Sequence, residues 1–178
     1  HNGVEWVGTT NELNGSYAAD GYARINGLGV LVTTFGVGEL SAVNGIAGSY
    51  AERVPVIAIT GAPTQAVEQA GKYVHHSLGE GRFDSYQKMF EHITTAQAYI
   101  TAENATTEIP RVINAAIHER RPVHIHLPID VAMTEIEVDS EYDVAPTADV
   151  NVERYIDMVA DKLRSASQPV IICLLYTS

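Results

Sequence analysis

The chain has 178 residues, 46% of them hydrophobic and 19% charged, which is enough for one domain with a core and the start of another. Its 11 Lys and Arg residues against 22 Asp and Glu residues give a formal net charge of −11, which disfavours binding to nucleic-acid phosphates. The longest apolar run, residues 30–35, is too short to span a bilayer. The chain has one cysteine, Cys173, and so no internal disulfide, which favours a reducing compartment, the cytoplasm. From the charge and the apolar runs, we predict neither a nucleic-acid nor a membrane partner.

Short β-rich runs alternate with longer helical patterns along most of the chain. The predicted strands are residues 4–7, 29–34, 55–60, 96–100 and 122–128. The predicted helices are residues 12–24, ended by Asn26-Gly27, a second one after Gly36, and residues 84–93 and 105–121. The second helix has apolar or small residues at helical spacing: Leu40, Val43, Ala47, Tyr50 and Ala51.

Strands separated by helices imply parallel pairing through crossover connections. We therefore predict an α/β fold, a doubly wound and mostly parallel sheet with helices on both faces. The continuous apolar run 29–34 is typical of a strand buried on both faces. Residues 61–82 show no periodicity and are expected to be irregular. Ligands of such sheets bind beyond the carboxyl ends of the strands.

Three segments are predicted along the chain. Residues 1–133 form the α/β domain, and residues 134–150, acidic and containing Pro146, read as a linker. Residues 151–178 begin a second domain, with a helix at 152–163 and a strand at 169–172. The tail, residues 173–178, fits no expected pattern, and we interpret the chain as a fragment of a longer protein.

A carboxylate stands between the first predicted strand and helix, in Thr9-Thr10-Asn11-Glu12. Thr9 and Glu12 have the spacing of a capping box, in which Glu12 only satisfies a free backbone amide. The functional alternative is a carboxylate at the carboxyl end of a strand, facing a cleft. The local sequence does not separate these two interpretations.

A glycine-rich turn, Gly36-Val37-Gly38, follows the second predicted strand and precedes a helix. This context is the one that a dinucleotide-binding turn requires. However, Ser41 replaces the third glycine, and the strand at 55–60 is not followed by the acid that holds a ribose. A nucleotide-binding module is therefore a minor alternative. A tight turn, or a backbone surface close to another ligand, remains open.

Two pairs of histidines stand out. His75 and His76 lie between glycines, and such a pair either transfers protons at a site or lies in a surface loop. In an extended segment the two side chains would point to opposite sides. His124 and His126 lie on one face of a predicted strand. Packing is favoured over a zinc site, because no further ligands show a recognisable spacing.

Three stretches of the sequence carry a family resemblance. The first is Asn11–Arg24 (NELNGSYAADGYAR), the second comprises residues 33–42 (TTFGVGELSA) and 48–52 (GSYAE), and the third is residues 74–79 (VHHSLG). Together they resemble the thiamine diphosphate-dependent 2-oxo acid decarboxylases over residues 4–132, and less specifically to about residue 172. The His75-His76 pair narrows the resemblance to the pyruvate, indolepyruvate and branched-chain 2-oxo acid decarboxylases.

The resemblance implies a role for six residues. Glu12 would hydrogen-bond the aminopyrimidine ring of thiamine diphosphate and activate the cofactor, while His75 and His76 would handle substrate and proton transfers. Thr34, Val37 and Ser41 would lie against the pyrimidine. The implied reaction is the non-oxidative decarboxylation of a 2-oxo acid (indolepyruvate, phenylpyruvate, a branched-chain 2-oxo acid or pyruvate) to an aldehyde and CO2.

The resemblance also implies what this chain does not supply. The diphosphate and Mg2+ would be held by a different domain, so no metal ligand is predicted here. The site would form between subunits of a homodimer or homotetramer, and the fragment alone would be inactive. A thiamine diphosphate-dependent carboligase of the acetolactate synthase type is the alternative. That group generally lacks the His75-His76 pair in this position.

Overall fold

The computed structural model describes Gly3, residues 5–138 and residues 152–171. Contacts divide the chain into two units, His1–Ala145 and Pro146–Ser178. The first unit contains α1 (Glu12–Asn26), β1 (Gly29–Thr34), α2 (Val37–Ala51), β2 (Val56–Ala62), α3 (Gln65–Gln69), α4 (Ser85–Phe90), β3 (Ala96–Tyr99), α5 (Ala105–Glu119), β4 (Val123–Pro128) and α6 (Ile129–Ala132). The second unit contains α7 (Val152–Ser165). Within these described residues, no helix is long and apolar enough to cross a membrane.

Within the described residues, four strands form one sheet in the order β1-β2-β4-β3. All three neighbouring pairs are parallel, so the carboxyl ends of the strands lie at one edge. The helices α1, α2 and α4 cover one face, where they and the strands bury Ala19, Ala23, Leu31, Ala42, Ile46, Val54, Val56, Ala58 and Phe90. Helix α5 covers the other face, which buries Ile57, Ala98, Ile100, Ala105, Val112, Ala116, Val123, Ile125 and Val131. The predicted α/β sheet with helices on both faces is confirmed.

The prediction that β1 is buried on both faces is wrong. Its residues alternate between buried and exposed positions, and Val30 and Val32 are 55% and 49% exposed. Strand β1 lies at the edge of the sheet, and α5 packs on β2, β3 and β4. The outer face of β1 therefore lacks the helix that would cover it in this part of the chain.

Two predicted strands do not form in the described residues. Residues 5–7 lie outside any strand, with Trp6 78% exposed. Residues 169–171, from the predicted strand in the second unit, are likewise irregular and exposed. Both segments have strand-forming residues but no pairing partner among the described residues, and an unpaired strand leaves its backbone donors and acceptors unused. Residues 173–178 and 139–150 lie outside the described residues.

Helix α2 buries mostly small residues, and of the predicted apolar positions Val43 packs against the core. Its buried residues are Gly38, Glu39, Ala42, Gly45, Ile46 and Ser49, whereas Tyr50 is half-buried and Ala51 is exposed. Small side chains let α1 and α2 approach closely, and Ser16 of α1 lies directly against Gly45. The segment 61–82 is also less irregular than predicted, because it contains the five-residue helix α3.

The close approach at Gly45 leads to a stability prediction. A Cβ added there would overlap Ser16 Oγ and lie 2.6 Å from Ser16 Cβ. Gly45→Ala is expected to lower the free energy of unfolding by roughly 1–3 kcal/mol, because overpacking forces the two helices apart. Gly48→Ala on the same helix is the control, because nothing lies within 4 Å of its added Cβ. Urea unfolding that gives equal values for both variants would contradict the packing described here.

Candidate active site

The β1–α2 turn lies at the edge of the sheet where the parallel strands end. Gly36 is the N-cap residue of α2, with φ 66° and ψ −112°, a backbone conformation that favours glycine. The Phe35 amide donates to Gly61 O at 3.0 Å, which ties the turn to the end of β2. This turn carries the predicted site residues Thr34, Val37 and Ser41.

The loop with the histidine pair lies directly against this turn. A Cβ on Gly36 would overlap the carbonyl oxygen of His76 and lie 2.8 Å from its carbonyl carbon. The same carbonyl oxygen accepts a hydrogen bond from the Tyr86 hydroxyl at 3.2 Å. Burial, followed by the nearby Glu39 carboxylate, raises the pKa of Tyr86, so its hydroxyl keeps the donated proton at neutral pH.

The two histidine rings lie on the same side of the loop. The ring centroids of His75 and His76 are 4.3 Å apart, and the His76 ring lies 5.8 Å from that of Phe35. His76 has φ 69°, so the segment turns here. Opposite side-chain directions, which an extended segment would give, are therefore not observed. The turn instead brings two imidazoles together.

Glu12 does not act as the capping-box residue that its spacing with Thr9 suggested. Asn11 is the N-cap of α1, and its side chain accepts the Asn14 amide at 2.8 Å. The Thr9 hydroxyl instead donates to Asn11 O at 3.0 Å. Within the described residues, the Glu12 carboxylate makes no hydrogen bond or ion pair. It is half-buried and free to accept a hydrogen bond from a ligand.

Glu12 and the histidine loop meet the same turn at different positions. Glu12 Oε1 lies 3.3 Å from the point where a Cβ of Gly38 would stand. That point is also 2.7 Å from Thr34 Cγ2, so only a glycine fits beside these two side chains. The structure thus brings Glu12 to Gly38 and His76 to Gly36, two residues apart on one turn.

The other three predicted site residues lie on the exposed side of the turn. Thr34 ends β1 and is exposed, as is Val37 in the first turn of α2. Ser41 lies one helical turn further on, and its hydroxyl donates to Val37 O at 2.8 Å. Of the three, Thr34 lies close to Glu12, because both side chains approach the same point beside Gly38.

A buried carboxylate that the sequence analysis did not single out lies beneath the turn. The Glu39 side chain is 2% exposed, and its Oε1 accepts the Gly36 amide at 2.8 Å. Its Oε2 accepts the Thr60 hydroxyl at 3.1 Å and lies 3.2 Å from His124 Nε2. The signal in the sequence was a charged residue at the third position of a helix that follows a strand and a glycine turn.

His124 and His126 are packed side chains, as predicted. The His124 ring stacks on Phe90 with a centroid distance of 4.5 Å, and the His126 ring stacks on Tyr99 at 5.0 Å. His126 Nε2 also lies 2.8 Å from Glu68 Oε1. In the part of the chain that the structure describes, no group of three His, Cys, Asp or Glu side chains is arranged to hold a metal ion.

The arrangement around Glu12 fits the aminopyrimidine ring of thiamine diphosphate. The glycine at position 38 lets the Thr34 methyl group and the Glu12 carboxylate lie close to the same point of the turn. These two side chains offer an apolar contact and a free hydrogen-bonding group next to each other. These are the requirements of a ring that is apolar on its face and polar at its edge.

Comparisons with known proteins agree with this fit. Residues 1–96 match the family described as thiamine pyrophosphate enzyme, N-terminal TPP binding domain, where TPP is thiamine diphosphate. The chain is 46% identical to a pyruvate decarboxylase of Aspergillus terreus over 96% of its own length and 31% of the relative's. It is 51% identical to an alpha-keto-acid decarboxylase of Mycobacterium leprae, over 74% of this chain and 23% of that protein.

A pyruvate decarboxylase of Aspergillus fumigatus is 42% identical, over 96% of this chain and 31% of that protein. The chain therefore spans between about a quarter and a third of the length of these curated relatives. The family match covers the β1–α2 turn, the histidine loop and Glu12. The chain belongs to the thiamine pyrophosphate enzyme family, through its N-terminal TPP binding domain.

Proposed function

We propose that the full-length protein catalyses the thiamine diphosphate-dependent, non-oxidative decarboxylation of a 2-oxo acid to an aldehyde and CO2. The observation that carries the proposal is that Glu12 and the His76 backbone meet one glycine turn at the carboxyl edge of the sheet, with the His75 ring 4.3 Å from the His76 ring. The names of the curated relatives, pyruvate decarboxylase and alpha-keto-acid decarboxylase, support the same reaction.

Glu12 is the residue proposed to activate the cofactor. Its carboxyl group has no partner within the described residues, so it is available to hydrogen-bond a ring nitrogen of the aminopyrimidine. Thr34, Val37 and Ser41 would hold the face of that ring, next to the glycine at position 38. When bound, thiamine diphosphate supplies the electron sink for the carbanion that loss of CO2 would otherwise leave.

His75 and His76 are proposed to hold and transfer protons on the substrate side of the site. Imidazole changes protonation near neutral pH, so it can both accept and return a proton during one turnover. The His76 carbonyl is fixed by the Tyr86 hydroxyl and by contact with Gly36, which keeps the loop against the turn.

Further parts of the proposal rest on the family resemblance. Mg2+ and the diphosphate would be bound by a domain outside residues 1–133, with residues 134–150 as linker and residues 151–178 as the start of a middle domain. The site would be completed between subunits of a homodimer or homotetramer in the cytoplasm. The substrate would be pyruvate, phenylpyruvate, indolepyruvate or a branched-chain 2-oxo acid.

The test is aldehyde release by the full-length protein on these four classes of 2-oxo acid, with and without thiamine diphosphate and Mg2+. Cofactor-dependent aldehyde formation is expected, and the best substrate identifies the specificity. Acetolactate-type products without aldehyde would favour the carboligase alternative instead. No response to the cofactor would contradict the proposal.

Substitution of His76 separates proton transfer from cofactor binding. His76→Ala is expected to lower kcat by about 100-fold, because a proton-transferring side chain contributes rate rather than binding. The Kd for thiamine diphosphate should change by less than about threefold, because the backbone carbonyl that contacts Gly36 is retained. Steady-state kinetics and a fluorescence titration measure the two quantities, and equal losses in both would indicate a structural role for the loop.

A further inference from the structure

The buried Glu39 carboxylate connects the β1–α2 turn to the middle of the sheet. One of its oxygens accepts the Gly36 amide, and the other accepts the hydroxyl of Thr60 on β2. His124 Nε2, on β4, lies 3.2 Å from the second oxygen. A single side chain thus joins a turn at the edge of the sheet to two of its strands.

The proton positions in this group follow from the number of donors. Thr60 has one hydroxyl proton, which it donates to Glu39. Its oxygen, 2.9 Å from His124 Nε2, must therefore accept, so Nε2 carries a proton. The Gly36 amide and the Thr60 hydroxyl then both donate to the Glu39 carboxylate, and His124 Nε2–H donates to Thr60 Oγ1, which holds the hydroxyl in place.

Stability alone does not explain this arrangement. A buried carboxylate paired with a histidine loses its hydration, and apolar residues of similar volume are often at least as stabilising. Within the described residues, His124 Nδ1 is buried without a hydrogen-bond partner, which adds a further cost. What the group does provide is a fixed acceptor for Gly36.

We propose that Glu39 is a positioning residue for the thiamine diphosphate site and that Thr60 and His124 hold it in place. This inference rests on the proposed function. Because Gly36 contacts the His76 carbonyl and Gly38 lies beside Glu12, a shift of the turn displaces both proposed site residues. Misplacement of reacting groups by about 1 Å can reduce turnover by about 100-fold.

A second carboxylate–histidine pair provides a matched control. Glu68 and His126 have side chains 8% and 4% exposed, with 2.8 Å between Oε1 and Nε2. Glu68 also accepts the Tyr99 hydroxyl at 2.8 Å, so the pair joins α3 to β3 and β4. It has the same chemistry as the Glu39 pair, but its hydrogen bonds do not include the β1–α2 turn.

The experiment compares Glu39→Ala, Glu39→Gln and Glu68→Ala in the full-length protein. Hydrogen–deuterium exchange of the Gly36 amide reports how firmly its hydrogen bond to Glu39 holds the turn, and kcat reports the rate of the reaction. In Glu39→Ala, Gly36 is expected to exchange at least about 10-fold faster and kcat to fall at least about 10-fold. In Glu68→Ala, both values should stay within about twofold of wild type, whatever the change in Tm.

Glu39→Gln tests whether the acceptor for Gly36 is the important feature. Its amide oxygen can still accept the Gly36 N–H, so slow exchange and most of kcat should be retained. The inference is overturned if Gly36 exchange and kcat in Glu39→Ala match those in Glu68→Ala. It is also overturned if Glu39→Gln loses as much as Glu39→Ala, because the Gly36 acceptor would then not be what matters.

A milder variant keeps the test decisive if Glu39→Ala does not fold. Thr60→Val removes one donor to Glu39 with little change in shape, and Gly36 exchange should rise while kcat falls. No change in either would overturn the inference. Wild-type protein without cofactor-dependent turnover would instead contradict the proposed function, and Gly36 exchange would still report whether Glu39 holds the turn.

Discussion

Glu12→Gln is expected to lower aldehyde formation by the full-length protein at least about 100-fold, which corresponds to about 2.7 kcal/mol of transition-state stabilisation. Glutamine keeps the shape of the side chain but removes its ability to exchange a proton with the aminopyrimidine. Since Glu12 makes no hydrogen bond or ion pair within the described residues, the free energy of unfolding should change by less than about 0.5 kcal/mol.

The control for this variant is a glutamate at the opposite edge of the sheet. Glu119 is exposed at the end of α5, where its side chain accepts the Thr95 hydroxyl. Glu119→Gln should leave aldehyde formation unchanged within about twofold, as is usual for surface substitutions. Steady-state kinetics and thermal unfolding of both variants provide the comparison. Near-normal turnover by Glu12→Gln would show that the Glu12 carboxylate is not needed for the reaction.

Gly36→Ala adds a single methyl group to the site and is expected to lower both stability and aldehyde formation strongly. The added Cβ would overlap the His76 carbonyl oxygen, and the residue would also be held at φ 66°. Strain and steric overlap together should lower the free energy of unfolding by roughly 2–4 kcal/mol. Aldehyde formation should fall to background, because the His76 loop can no longer lie against the turn.

Gly27→Ala separates backbone strain from the overlap. Gly27 has φ 89° at the end of α1, and no atom lies within 4 Å of an added Cβ. Its substitution should cost about 1 kcal/mol of stability and leave kcat near wild type. If urea unfolding and kcat of the two variants were alike, the contact between Gly36 and His76 would not support the loop.

The parts of the fold set by local signals were predictable from sequence. Asn26-Gly27 marked the end of α1, where Gly27 is the left-handed C-cap residue. The glycine turn marked the start of α2, and the parallel order of the strands followed from the intervening helices. Glu12 was also a candidate from a local signal, because it stands at the first position of a predicted helix.

The remaining features depend on contacts between distant residues. Thr60 is 21 residues from Glu39 and 64 residues from His124, so no local pattern indicates that they form one group. The exposure of Val30 and Val32 depends on how far α5 extends across the sheet. The choice of Asn11 rather than Thr9 as N-cap depends on backbone geometry that residue spacing does not determine.

The most direct measurement is the rate of hydrogen–deuterium exchange at C2 of thiamine diphosphate bound to the full-length protein, compared with Glu12→Gln. If the Glu12 carboxyl activates the cofactor, exchange on the wild-type protein should be far faster than on free cofactor. In Glu12→Gln it should fall at least about 100-fold while the cofactor remains bound. Equal exchange rates in the two proteins would contradict the role assigned to Glu12.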